Sequence, residues 1–140
     1  PDGNTDDFAT ELRGLPNVIL TPHVGGSTEE SQEAIGREVA NALVKFVNTG
    51  ATTGSVNFPH VEPPPLRDRH RLLNVHRNVP GVLSEINRIV SDAQANIESQ
   101  VLATTPAIGY LVMDLNREVS KEVRVRMTAL ETSIRTRVLY

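Results

Sequence analysis

Two places in this chain combine residue types that can bind or move small molecules. The first is Leu72-Leu73-Asn74-Val75-His76-Arg77-Asn78-Val79-Pro80-Gly81-Val82-Leu83. A short apolar strand there runs through a polar turn into a Pro-Gly helix start. Val79, ahead of a proline, is kept out of helical geometry, and Pro80 suits the first helical position, where its missing amide costs nothing. The opening amides of such a helix are unpaired donors at the positive end of a dipole and attract a carboxylate. His76 and Asn78 stand two apart, hence on one side of an extended segment. A strand end, two polar side chains and a helix N-terminus together make a pocket for an amino acid. The second place is His23, which follows an apolar run and precedes Gly25-Gly26. Alone, such a histidine is more often a packing or capping residue. The four histidines form no close pairs with metal-ligand spacing, so no metal site is expected.

Strands and helices must position these groups. Asn17-Val18-Ile19-Leu20-Thr21 reads as a fully buried strand of a parallel sheet. A compact glycine loop follows, and then Ser27-Thr28-Glu29-Glu30 has the form of a capping box. Ile35, Val39, Leu43 and Phe46 recur at helical spacing, with Gly50 as the stop. Strand, loop and helix make half of a Rossmann-type α/β unit. The other strands of that sheet are not in this sequence, and the first residue is not methionine, so residues 1–50 are expected to be a piece of a larger α/β domain. Residues 51–70, with Pro63-Pro64-Pro65 flanked by charges, read as a stiff, solvated linker.

Residues 71–140 repeat a different order. Strands are expected at 71–77, 96–102, 110–115 and 133–139, with helices at 81–92 and 120–130. Along the last strand Ile134, Thr136 and Val138 should face inward and Arg135 and Arg137 outward. This βαββαβ order is the α+β, ferredoxin-like arrangement, two helices on one sheet face and edges free to pair with a second copy. Asn96 reads as the start of a strand after the turn Asp92-Ala93-Gln94-Ala95.

Composition narrows the function. The 140 residues carry a net charge of −3 with acids and bases interspersed, which argues against a nucleic-acid or anionic-membrane surface. The absence of cysteine rules out disulfide and thiolate chemistry and suits a cytoplasmic protein. No apolar run approaches membrane-spanning length.

The segment Leu20-Thr21-Pro22-His23-Val24-Gly25-Gly26-Ser27-Thr28 resembles the catalytic-histidine segment of the D-2-hydroxyacid dehydrogenases. His76-Arg77-Asn78-Val79-Pro80-Gly81-Val82-Leu83 resembles the opening of an ACT domain, an amino-acid-sensing module. Both in this order, joined by Val56-Asn57-Phe58-Pro59, resemble the serine-inhibited members of the dehydrogenase family that carry a C-terminal ACT domain. The resemblance implies oxidation of 3-phosphoglycerate with NAD as cofactor, the first step towards L-serine. It gives His23 the acid/base position and places His23, Gly25 and Gly26 beside the cofactor. An imidazole, titrating near neutral pH, suits removal of a hydroxyl proton. The Gly-rich dinucleotide fingerprint and the partner residues of His23 lie outside the sequence, so the chain alone is expected to be inactive. It further implies that His76, Asn78 and Asn96 contact L-serine across a pair of ACT domains, within a tetramer whose activity serine lowers. The competing reading is an ACT module that binds an amino acid and catalyses nothing.

Overall fold

The computed structural model describes residues 9–22, 24–66, 69–115 and 120–140. Helix α1 spans Glu29–Thr49, followed by β1 (His70–Arg77), α2 (Val82–Asp92), β2 (Ile97–Thr104), β3 (Ile108–Leu115), α3 (Ser120–Thr128) and β4 (Ser133–Leu139). Contacts divide the chain into two units, Pro1–Arg37 and Glu38–Tyr140. None of the helices is long and apolar enough to cross a membrane, among the described residues.

In the first unit the expected strand at 17–21 does not form. Asn17 takes a left-handed φ of 68°, and Val18, Ile19 and Leu20 are exposed. A parallel strand exists only through neighbours on both sides, and among the described residues of this unit there is no second strand to pair with. The glycine loop is a tight turn closed by Ser27 N–H donating to the Val24 carbonyl at 3.0 Å. Thr28 then caps α1, its Oγ1 accepting from the Ser31 amide at 3.2 Å. The cap is therefore one residue later than the expected Ser27–Glu30 box. The Glu30 backbone amide, and after it the same Thr28 hydroxyl, hold the Glu30 carboxyl below its usual range.

In the second unit the strands form one antiparallel sheet in the order β2-β3-β1-β4. Side chains alternate across it. Leu72, Leu111, Met113 and Leu115 meet Val82, Ile86, Ile89 and Val90 of α2 and Val123 and Met127 of α3 in the main core. Those helical positions recur every three or four residues, which is why both helices cover the same face. On β4 the expected alternation slips: register shifts opposite Val75/His76, and Ile134 at that irregularity is exposed rather than inward.

The sheet's other face is not bare. Leu73, Tyr110 and Val112 pack there against Val61 and Phe58, with the Phe58 and Tyr110 rings edge to face at 5.2 Å. Part of the stretch 51–70, expected as a solvated linker, thus packs on the sheet through Phe58 and Val61. Pro59, Val61 and Pro63 are buried while His60, Glu62 and Pro64 are exposed. Burial alternates residue by residue from Pro59 to Pro64, as in a strand, and the apolar side of the segment meets the sheet. Thr52 ties the segment back on itself, accepting from the Val61 amide and donating to the Pro59 carbonyl, each at 2.7 Å.

The end of α1 is held by the same sheet face. Arg71 is fully buried, paired with Asp114 at 2.6 and 2.7 Å, and it also donates to the Thr49 carbonyl at 3.0 Å and to Pro64 at 2.7 Å. Tyr110 donates to the Gly50 carbonyl at 2.8 Å, and burial raises its pKa from 10.0 to about 12. Arg137, expected to point to solvent, donates to the Val47 carbonyl at 2.5 Å and stands 5.5 Å from the Phe46 ring centroid. The last carbonyls of a helix lack partners within it and form its negative end; two guanidinium groups and a phenol answer both needs. Gly50 closes the helix at φ 78°, and an added Cβ would lie 2.5 Å from Leu73.

Candidate functional site

The site is assembled where β1 ends. Leu72, Asn74 and His76 share the helix-covered face of the strand. Asn74 and His76 are both buried. His76 Nδ1 lies 3.0 Å from Asn74 Oδ1. The Asn74 amide nitrogen reaches Ser133 Oγ and Thr136 Oγ1, each at 2.9 Å, and the Arg135 carbonyl at 3.4 Å. Across the ladder His76 faces Gly109, and a Cβ there would sit 2.3 Å from His76 Nε2. The ring fits because that side chain is missing. Burial also pushes the His76 pKa below its ordinary value, favouring the neutral imidazole.

Asn78 is exposed one step beyond the strand. Its Nδ2 donates to the Thr105 carbonyl at 2.8 Å, and its own amide donates to the Ala107 carbonyl at 3.0 Å. These bonds staple the β1–α2 loop to the β2–β3 turn. The helix beyond begins at Val82, with Gly81 as its N-cap at φ 93° and no side chain bonded to its amides. Pro80 therefore precedes the cap instead of occupying the first helical turn. Gly81 supplies a left-handed bend that another residue would adopt only with strain. The start of α2 remains open, beside a shallow depression of about 260 Å³ bordered by Gly81, Ser84, Glu85 and Arg88.

Asn96 is elsewhere. Ile97 pairs with Leu115, and Leu115 pairs with His70 at the opposite end of β1 from His76. Six residues of strand separate those levels, about 20 Å. One copy of the chain thus brings His76 and Asn78 to one corner and leaves Asn96 at the other end of the sheet.

His23 lies outside the described residues. Gly25 and Gly26 sit in the turn before α1. A Cβ on Gly25 would meet nothing within 4 Å, and one on Gly26 only ordinary contacts with Ile35 and Gln32. The turn can lie against a flat group, but these residues alone could not hold a dinucleotide. Sequence reasoning missed Asn74, Gly109, Ser133 and Thr136. The available signal was the polar pair Asn74 and His76, two apart on the buried side of an apolar strand.

Residues 72–135 match the family described as the AHAS small subunit-like ACT domain. All 140 residues align with D-3-phosphoglycerate dehydrogenases: that of Dictyostelium discoideum is 51% identical, and that of Haemophilus influenzae is 44% identical. In each case the chain spans 34% of the relative's length, its C-terminal part. The solved ACT domain from GTP pyrophosphokinase of Chlorobium tepidum is 15% identical, covering 51% of this chain and 96% of that one, with a TM-score of 0.44.

Proposed function

We propose that this chain, whose second unit carries an ACT domain, is the C-terminal part of an NAD-dependent D-3-phosphoglycerate dehydrogenase and that its ACT domain binds L-serine as an inhibitor. The observation that carries the reading is the corner formed by His76, Asn78 and the uncapped start of α2. A zwitterion leaving water needs donors for its carboxylate and acceptors for its ammonium. Helix amides supply the first, and asparagine carbonyls and imidazole nitrogen supply the second.

Asn96 joins this corner through a second copy. The outer edge of β2 is unpaired in the sheet order, and from Ser99 to Thr104 it carries no charge and no proline. The other edge, β4, has Arg135 and Arg137. Charged residues discourage edge pairing, so β2 is the edge suited to it. Two β2 strands related by a two-fold run antiparallel, and a pairing centred near Gln100 and Val101 sets Asn96 of one copy opposite Thr105 of the other. Thr105 is the residue to which Asn78 is bonded. Two symmetric pockets result, each with side chains from both copies.

Calorimetric titration of L-serine into the chain, with molecular mass followed by light scattering, tests this. Saturable binding by a dimer, absent with D-serine and L-phenylalanine, is the expected result. A dimer that ignores L-serine, or prefers L-phenylalanine, would overturn the effector assignment.

For the catalytic part, the residue in this chain is His23, which takes the substrate hydroxyl proton. NAD, bound in the longer protein, supplies the hydride acceptor. Within that protein His23→Ala should lower turnover by about 10²- to 10⁴-fold, the usual contribution of a general base. L-serine affinity should stay unchanged. Near-normal turnover in the variant would remove His23 from the mechanism.

A further inference from the structure

We infer that Asn74 fixes the tautomer of His76, so that His76 Nε2 is a hydrogen-bond acceptor reserved for a donor hydrogen of the bound amino acid, on its ammonium or its hydroxyl. The inference rests on the effector reading of this corner and adds the direction of one bond within it.

The argument runs through the orientation of the Asn74 amide. One end faces Ser133 Oγ, Thr136 Oγ1 and the backbone carbonyl of Arg135. Hydroxyls can donate or accept, but a carbonyl only accepts, so the end facing Arg135 has to be the NH₂ group. The carbonyl oxygen of Asn74 then faces His76 Nδ1 at 3.0 Å. Two acceptors at that distance in a buried site would leave both unsatisfied, which costs about 1–3 kcal/mol. Nδ1 must therefore carry the proton. In a neutral imidazole the other nitrogen is then a bare acceptor.

That nitrogen is at the edge of the ring nearest Gly109. Gly109 leads from the β2–β3 turn, the same turn that Asn78 grips. An effector seated at this corner therefore meets Nε2 as an acceptor. A carboxylate cannot bond to it and is left to the α2 amides and to asparagine NH₂ groups. The consequence is an orientation for the ligand, with its donor groups towards His76 and its carboxylate towards the helix. Asn74 acts through His76 as a positioning residue.

Long-range ¹H–¹⁵N correlation spectra of the histidine-labelled chain read the tautomer directly, without any substitution. His76 is expected to show a protonated Nδ1 and an unprotonated Nε2. In Asn74→Leu the ring should shift towards the Nε2–H form, and L-serine affinity should fall about tenfold, the loss of one hydrogen bond. Asn74→Asp sets a carboxylate beside Nδ1 and favours a proton on both ring nitrogens, so Nε2 becomes a donor and L-serine affinity should fall as it does in Asn74→Leu. A protonated Nε2 in the unmodified chain would overturn the inference. So would an Asn74→Leu variant in which neither tautomer nor affinity changes. Absence of any L-serine binding by the unmodified chain would instead refute the effector assignment, while an Nδ1–H tautomer would still uphold the action of Asn74 on the ring.

Discussion

Asp114→Ala is expected to destabilise the second unit by about 3–5 kcal/mol, the cost of leaving a buried cation without its partner. Arg71 has no exposed surface, and its Nε and one terminal nitrogen meet the two Asp114 oxygens at 2.6 and 2.7 Å. Two further donors go to the carbonyls of Thr49 and Pro64, which carry no charge to replace that of Asp114. At about 4–8 °C per kcal/mol for a unit of this size, the thermal midpoint should fall by more than about 10 °C. The partners of Arg71 say what is lost locally. Thr49 ends α1 and Pro64 lies in the segment along the sheet, so the damage should concentrate there. Hydrogen exchange should quicken at the end of α1 before it quickens in β1. The double variant Arg71→Met with Asp114→Leu removes both charges and should recover much of the loss, because a buried pair contributes little beyond what apolar residues of similar volume would. Recovery should be incomplete, since removing Arg71 also takes the donors away from the Thr49 and Pro64 carbonyls. A single Asp114→Ala variant within about 1 kcal/mol of the parent would show that Arg71 reaches water and that the pair does not clamp the helix end.

Neither member of that pair was visible as such in the sequence, and the reason is physical. Arg71 and Asp114 are 43 residues apart and meet only because β1 and β3 are neighbours in the sheet. Sequence patterns report what a residue does to its own element. They located α2 and α3 because the apolar positions there recur with the helical period, and the end of β4 because the chain alternates. Position 74 falls within an apolar strand, although an asparagine two residues before a histidine marks a polar pair on one face. The proline-rich segment departs from its pattern for a related reason. Proline predicts extended chain but says nothing of what lies beside it, and here the alternation of Pro59, Val61 and Pro63 matched an open sheet face. The apolar run at 17–21 shows the converse. Composition marked it as a strand, yet a strand is made by its neighbours. The candidate site shows the same limit: His76 and Asn78 meet at one corner because they are close in sequence, whereas only the strand register shows that Asn96 lies at the other end of the sheet.

Gly109→Val puts two local rules into opposition, and the expected result shows which one governs. Valine suits a strand better than glycine by up to about 1 kcal/mol. At this position its Cβ would lie 2.3 Å from His76 Nε2, 2.8 Å from Cε1 and 3.0 Å from Cδ2. The ring cannot retreat cheaply. It is buried and held through Nδ1 to Asn74, which is in turn held by Ser133 and Thr136. Overpacking of this kind costs about 1–3 kcal/mol. Pulling His76 from Asn74 strands buried polar groups at about 1–3 kcal/mol more. The steric and polar penalties outweigh the propensity gain, so net destabilisation of about 2 kcal/mol or more is expected in thermal unfolding. L-serine binding should be lost with it. The cause can be isolated by combining the variant with His76→Ala, which empties the space the new side chain needs. The two substitutions should then couple, with valine costing much less beside alanine than beside histidine. Equal costs in both backgrounds would mean that Gly109 is required for a reason other than the imidazole it faces.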